Sequence, residues 1–250
     1  MKPMCLLPIA LIASFSLLSP IAQADTYTKE EYQQIFAGDD TYKQEQAIES
    51  IFFVGLNDPS TYQSIKTKID TLLPSAKDKH VIDNIAWLIK GLGYSGDPQF
   101  REYLNQLAQG DAHKKIRKYA KRALADLSKF EQWNPILQDK SQYNPEQSHR
   151  ANVYAAALRS DNLELMRTTA KRIANERLFD NYMLQQLAAQ LSPMRLIDDN
   201  KLAIDTYAWI TRALATSGNE DFKADVEAVA QNAKQKKLRK YATKYLAKFY

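Results

Sequence analysis

Residues Ala86–Leu127 read AWLIKGLGYSGDPQFREYLNQLAQGDAHKKIRKYAKRALADL, and residues Ala208–Phe249 repeat them as AWITRALATSGNEDFKADVEAVAQNAKQKKLRKYATKYLAKF. The two stretches align without a gap, at an offset of 122 residues. A tryptophan, a Ser-Gly pair and the segment Arg-Lys-Tyr-Ala stand at matching positions. At the same offset, about 29–128 maps onto 151–250. The sequence therefore indicates an internal duplication that joins two similar halves.

Helix is the predicted secondary structure in both halves. Glycine and proline are scarce, at 7 and 9 of 250 residues, and no strand-like alternation is bounded by turn residues. Apolar residues instead recur at intervals of three and four, which is the period of an amphipathic helix. The clearest example is the predicted sixth helix, about 112–130, whose apolar face consists of Ile116, Ala120, Ala123, Leu124 and Leu127. We therefore predict an all-α fold.

A shorter repeat lies within each half. Leu92 and Leu124 stand 32 residues apart, as do Leu214 and Leu246, and each lies near the end of a predicted helix. A period of about 30–40 residues per helix pair is typical of α-solenoids. One pair cannot bury its apolar face alone, so the pairs are expected to stack.

The segment 116–124, IRKYAKRAL, resembles the opening helix of HEAT-type repeats, especially the short repeats also found in phycobiliprotein lyases. The segment 91–98, GLGYSGDP, is similar to the turn between the two helices of such a repeat. The resemblance is good over about 80–127 and 202–249. It implies an α-solenoid of HEAT-like helix pairs in two duplicated lobes, and a binding scaffold as the function. Lyases of this kind hold a bilin, but no feature of this sequence specifically supports that chemistry.

The first 24 residues, 1–24, have the form of a secretory signal peptide. Lys2 precedes the apolar run Leu6–Leu18, and the segment ends in Ala22-Gln23-Ala24, with small residues at the first and third places before a cut. That run is shorter than the ~20 apolar residues that a membrane span requires. We expect cleavage near Ala24-Asp25 and a periplasmic or secreted protein with no membrane span in the mature chain.

The composition changes at 131–146, EQWNPILQDKSQYNPE, which contains two Asn-Pro pairs and no helical stripe. Because proline disfavours helical geometry in the residue before it, Asn134 is predicted to lie outside a helix. The preceding helix is therefore predicted to end at Phe130. The predicted division is a HEAT-like lobe at 25–130, a linker at 131–146 and a second HEAT-like lobe at 147–250.

Two arginines occupy the signature position of the repeat. In repeats of this kind the arginine bonds an aspartate in the turn of a neighbouring unit. The resemblance therefore implies an ion pair between Arg117 and Asp97, whereas Asn219 stands in the aspartate position that would face Arg239. The alternative role for both arginines is anion binding.

Trp87 and Trp209 occupy the same position in the two halves. A tryptophan in a helix commonly anchors the core while its N–H finds a partner at the edge. We expect this structural role for both. The alternative is a tryptophan stripe that grips a sugar or a peptide.

Basic helix faces are the best candidates for binding. They are predicted to lie opposite the apolar faces and comprise Lys114, Lys115, Lys118, Lys121 and Arg122 in the first half and Lys236, Lys237, Lys240 and Lys244 in the second. Such faces can dock an acidic protein, anionic lipid or an anionic glycan. The alternative is a solvated lysine-rich face that also counters the helix dipole near its end.

No constellation predicts catalysis, a metal or another cofactor. The only cysteine, Cys5, precedes the predicted cleavage site, and the motifs G-x-S-x-G and G-x-x-x-x-G-K are absent. His80, His113 and His149 are scattered, so no metal site is predicted. The formal net charge of +5 is modest and, together with an export signal, argues against a nucleic-acid partner.

These observations favour a non-enzymatic binding or adaptor protein of the cell envelope that uses a HEAT-like solenoid surface to hold a protein partner. An immunity or chaperone-like protein is a specific version of this hypothesis. The alternative is an enzyme, or a protein that binds a small ligand or glycan, with its site between the two lobes. That alternative requires a deep pocket lined by carboxylates with perturbed pKa values.

Overall fold

The computed structural model describes residues 27–193 and 195–250, and the predicted signal peptide lies outside them. The described residues form twelve α-helices: α1 Lys29–Ala37, α2 Thr41–Val54, α3 Pro59–Leu72, α4 Lys79–Gly93, α5 Arg101–Gln109, α6 Lys114–Leu137, α7 His149–Arg159, α8 Leu163–Glu176, α9 Asn181–Ala188, α10 Lys201–Thr216, α11 Lys223–Asn232 and α12 Lys236–Phe249. Short 3-10 turns lie at Leu73–Ser75, Pro98–Phe100 and Glu220–Phe222. The predicted all-α fold is confirmed. Among these helices none combines the length and apolar character needed to cross a membrane.

The duplication extends to the local backbone. Asp40 caps α2 by accepting from the backbone N–H of Lys43, and Asn162, 122 residues later, caps α8 by accepting from that of Leu165. Such caps satisfy N–H groups that the first helical turn leaves without a partner. Gly96 and Gly218 also share a left-handed conformation, with φ of +61° and +65°. The two halves therefore repeat the same helices and turns.

The helices are arranged in pairs and in layers. Each even-numbered helix packs against the odd-numbered helix before it. The even-numbered helices also pack on one another, as α2–α4–α6 in lobe 1 and α8–α10–α12 in lobe 2. The predicted architecture of helix pairs stacked in two duplicated lobes is confirmed.

Helix α4 shows why this stacking is stable. Its residues Ile85, Leu88, Ile89 and Leu92 are fully buried between α2, α3 and α6. Complete burial of each such side chain contributes roughly 1.5–3 kcal/mol. One continuous hydrophobic core runs through both lobes.

Helix α6 is longer than the sequence predicts. It was expected to end at Phe130, but it continues through Pro135 to Leu137. Asn134 lies inside the helix, and its side-chain amide donates to the carbonyls of Tyr94 and Ser95 at 3.3 and 2.8 Å. These carbonyls follow the end of α4, where backbone acceptors lack helical partners. Burial of Trp133 and Leu137 adds to this bond, so tertiary packing outweighs the effect of proline.

The lobes meet where α7 packs on both α2 and α6. The Arg172 guanidinium of α8 lies 4.1 Å from the centroid of the Phe52 ring of α2. The imidazole Nε2 of His149 in α7 lies 3.1 Å from the carbonyl oxygen of Val54. Arg172 of α8 donates to Glu49 of α2 at 2.9 Å. A cation–π contact and hydrogen bonds therefore join the two halves.

Gly96 and Gly218 form a matched pair for a test of this packing. A Cβ at Gly96 would lie 2.6 Å from the carbonyl carbon of Phe130, whereas one at Gly218 would meet no atom nearer than 3.8 Å. We expect Gly218→Ala to lower the free energy of unfolding by about 1 kcal/mol, because of its positive φ alone. Gly96→Ala is expected to lower it by roughly 2–4 kcal/mol, because α6 must also shift.

Denaturant unfolding of both variants measures this difference. If Gly96→Ala and Gly218→Ala lowered the free energy of unfolding equally, that result would contradict the close approach of the α4–α5 turn to α6.

Candidate functional site

A pocket of about 300 Å³ opens between α4 and α6 on the layer of even-numbered helices. Its lining, here called the Trp87 pocket, consists of Trp87, Lys90, Tyr119, Arg122, Ala123 and Asp126. Two aromatic rings, two cations and one carboxylate thus surround a space large enough for one side chain or a sugar ring. Four of these residues, Lys90, Tyr119, Ala123 and Asp126, were not predicted as site residues.

Trp87 is half-buried and packs against the core with part of its ring. The Lys90 ammonium lies 4.1 Å from the Trp87 ring centroid and pairs with Glu49. A cation over an indole face is attracted by the ring quadrupole. Trp87 therefore packs against the core and also forms part of an accessible surface.

The opposite wall of the pocket comes from α6. The Arg122 guanidinium lies 5.4 Å from the centroid of Tyr119. Lys115 lies 5.8 Å from the centroid of the same ring and donates to Asp83 at 2.6 Å. This hydrogen bond holds the pKa of the Asp83 carboxyl below its usual value. Arg122 has no such carboxylate partner among the described residues, so its charge is available to a ligand.

Asp126 is the carboxylate of the pocket. Burial raises its pKa, and the nearby cations Lys129 and Lys90 only partly oppose this rise. A carboxyl group with a raised pKa in a pocket is a candidate for a functional role. The sequence offered one signal for it, because Asp126 is the only acidic residue between Lys114 and Phe130 of α6.

The same site recurs in lobe 2 with different chemistry. The six lining positions correspond, at an offset of 122, to Trp209, Arg212, Tyr241, Lys244, Tyr245 and Lys248. Tyr245 replaces Ala123 and stacks on Tyr241 with centroids 6.3 Å apart. Arg212 and Lys171 lie 4.6 and 5.0 Å from the Trp209 centroid. Lobe 2 therefore has an aromatic and cationic surface in which Tyr245 takes the position of the small Ala123.

A second hollow, of about 310 Å³, lies between the lobes. Its lining comprises Tyr42, Glu45, Gln46, Glu49, Ser50, Trp87 and Arg150. Glu49 bonds Lys90 and Arg172, and Arg150 pairs with Glu176. The charged groups at this junction mostly neutralise one another, which suits a structural contact better than acid–base chemistry.

Most of the predicted basic residues are exposed. Lys114, Lys118, Lys121, Arg122, Lys236, Lys237, Lys240 and Lys244 are exposed, whereas Lys115 is half-buried beside Asp83. The exposed cations follow α6 and α12, and only Arg122 and Lys244 belong to the Trp87 pocket and its lobe 2 counterpart. Of the predicted basic residues, Arg122 and Lys244 therefore belong to the site, and the others lie beside it on the same helices.

The predicted ion pair between Arg117 and Asp97 is wrong. The Arg117 guanidinium donates to the carbonyl of Ala112 at 2.7 Å, and Asp97 accepts from the backbone N–H of Gln99 at 2.9 Å. Arg239 donates to the carbonyl of Lys234, the equivalent position in lobe 2, at 2.8 Å. Each signature arginine binds carbonyls of the loop before its own helix, because that loop leaves acceptors without backbone partners.

Comparisons with known proteins give one fold-level likeness. No protein-family model matches the chain, and a search of curated proteins finds no match. Among solved structures, human deoxyhypusine hydroxylase in complex with glycerol matches with 14% sequence identity and a TM-score of 0.36. The match covers 88% of this chain and 83% of that one.

Replacing Asp126 by Asn tests the environment of its carboxyl group. As pH rises above about 4, the unfolded chain releases its Asp126 proton first, while the folded protein keeps it up to the raised pKa. The free energy of unfolding of the native protein should therefore fall, relative to that of Asp126→Asn, across this window. Denaturant unfolding at several pH values measures the difference.

Asp83→Asn is the matched control. The pKa of Asp83 is lowered in the folded protein. The free energy of unfolding of the native protein should therefore rise with pH, relative to that of Asp83→Asn, at pH values below about 4. A pH-independent difference for Asp126→Asn would show that its carboxyl is not buried as described.

Proposed function

We propose that the protein is a non-enzymatic binding or adaptor protein of the cell envelope, and that it holds a protein partner on the layer of even-numbered helices. One observation carries this proposal: Trp87 and Tyr119 in lobe 1 and Trp209 and Tyr241 in lobe 2 stand beside cations at equivalent positions. All four rings are half-buried, so part of each remains open to a ligand.

The chemistry of this surface fits a protein interface. Tryptophan, tyrosine and arginine are the residues most enriched among those that dominate binding energy. Stacked repeats add such residues side by side and so create an extended surface. A partner that contacts both lobes would gain from two linked sites, since the second contact forms at high effective concentration.

The proposed location rests on the sequence of 1–24, which has the form of a cleavable export signal. We infer an exported bacterial protein related to short HEAT-like repeats, periplasmic or secreted after cleavage near Ala24-Asp25. An immunity or chaperone-like protein, which masks one partner, is the specific version of this function. Anionic lipid and glycan are the other ligands that a basic surface can accept.

A second candidate is a protein that binds a small polar ligand or glycan in the Trp87 pocket. The raised pKa of Asp126 favours it, because a carboxyl beside Trp87 and Tyr119 can bond a sugar hydroxyl below an aromatic platform. A glycosidase would need a second carboxylate across the scissile bond. Glu49, the acidic residue that reaches Lys90, is already engaged by two cations.

The binding proposal is tested with Arg122→Gln and Lys244→Gln combined in one chain. Both side chains are exposed and occupy equivalent positions, so the change should spare the fold. Affinity capture from an envelope extract at moderate salt is expected to yield a partner with the native protein. The double variant should retain about tenfold less of it, because each removed cation weakens a charged contact.

The matched control is Lys77→Gln with Lys201→Gln, which removes two exposed charges outside the pocket and its counterpart. It should retain the partner in full. If the double variant and its control retain the partner equally, the partner does not bind the surface proposed here. Specific binding of glycan fragments that Asp126→Asn abolishes, without a protein partner, would favour the second candidate.

A further inference from the structure

The surfaces in and around the two copies of the site differ in charge at three equivalent positions. Glu45, Glu49 and Asp126 stand in lobe 1 where Arg167, Lys171 and Lys248 stand in lobe 2. At each of these positions a carboxylate in one lobe corresponds to a cation in the other. The helices that present them, α2 and α6 in lobe 1 and α8 and α12 in lobe 2, otherwise repeat one another.

In lobe 2 most of the cations on this surface have no carboxylate partner among the described residues. Arg167 is engaged by Asp205 at 3.0 Å. By contrast, no carboxylate of the described residues pairs with Lys171, Arg212, Lys244 or Lys248. Lys171 and Arg212 both lie against the ring of Trp209, which holds their charges near one point of the surface.

Helix α12 adds a line of like charges. Lys236, Lys240, Lys244 and Lys248 follow one another at intervals of four, and residues 236–250 contain no acidic side chain. Like charges at this spacing lie on one side of a helix and repel one another, by roughly 0.2–0.5 kcal/mol per pair. A ligand with negative charges spaced along its length would remove this repulsion.

We propose that lobe 2 binds an acidic segment of the protein partner, and that the lobe 1 copy of the site does not. The lobe 2 face consists of Lys171, Trp209, Arg212, Tyr241, Lys244 and Lys248. This inference rests on the proposed function and assigns to it the chemistry of the partner. Carboxylates of the segment pair with the cations, and its methylene groups lie on the aromatic rings.

A protein segment fits this face better than a lipid surface does. Helices that lie in a membrane interface expose large apolar side chains that enter the lipid. The large apolar side chains exposed among the described residues are Tyr42 and Ile197, at 69% and 58% exposure, and neither belongs to this face. Tyr241 and Tyr245 are half-buried and stack on each other, so they offer ring edges and faces but nothing to insert.

The test uses a fluorescent twelve-residue peptide of alternating Glu and Ser and, as the neutral control, the same peptide with Gln for Glu. Anisotropy at low salt is expected to show binding of the acidic peptide only, with affinity that falls as salt rises. The triple variant Arg212→Gln, Lys244→Gln, Lys248→Gln should weaken it by about tenfold or more, because each exposed charge pair contributes modestly and three are lost.

The matched control is Lys114→Gln, Lys118→Gln, Lys121→Gln, which changes the net charge equally but lies on α6 of lobe 1. Measured at about 0.1 M salt, it should leave peptide affinity within about twofold, since long-range attraction is then screened beyond a Debye length of about 10 Å. If both triple variants lost affinity for the acidic peptide equally, net charge alone would explain the binding, and the proposal would be overturned. Binding of phosphatidylglycerol vesicles without binding of the peptide would overturn it as well.

Capture of the native partner separates this inference from the proposed function. Loss of the partner in the lobe 2 variant, together with peptide binding, supports both. If the lobe 2 variant loses the partner but the native protein does not bind the acidic peptide, the proposal of an acidic segment is wrong. The binding function then still stands. If the native protein captures no protein partner at all, the proposed function itself fails.

Discussion

The burial of one apolar stripe per helix between neighbouring helices is the constraint on which the whole structure depends. α4 illustrates it, because its four aliphatic residues are covered only when α2, α3 and α6 are all in place. Each even-numbered helix therefore has its apolar side committed to packing. The half-buried Trp87 in lobe 1 and Trp209 in lobe 2 lie at the edge of this apolar side, and the exposed positions beyond them can vary without loss of core.

Because the chain is duplicated, its two lobes can be compared with each other. Helices α8, α10 and α12 begin at the positions equivalent to the starts of α2, α4 and α6. The caps at Asp40 and Asn162 and the left-handed glycines also recur, so the local backbone of the site is similar in both lobes. What changes is the exposed chemistry: Ala123 becomes Tyr245, and three carboxylates become cations. Differences in binding between the lobes must then come from these side chains and their charges, since the supporting helices are shared.

Local patterns in the sequence predict the fold well but predict side-chain contacts less well. Helical spacing and the offset of 122 residues gave the helices, their pairing and the two lobes. The extension of α6 past Pro135 was missed, because it depends on the bond from Asn134 to carbonyls 39 and 40 residues earlier. The Trp87 pocket was missed in part for the same reason: Lys90 and Asp126 meet only when α4 and α6 pack together. Arg117 was assigned the wrong partner, since its repeat position specifies a structural role but not the acceptor.

Transfer of the lobe 2 charges onto lobe 1 tests the central claim, that side-chain charge on a shared backbone decides what each lobe binds. Glu45→Arg with Asp126→Lys changes two of the three positions and leaves Glu49, which holds Lys90 and Arg172, in place. Isothermal titration with the acidic peptide should then show two bound peptides per chain where the native protein binds one. A stoichiometry that stays at one, in a variant with native helical content, would contradict the account.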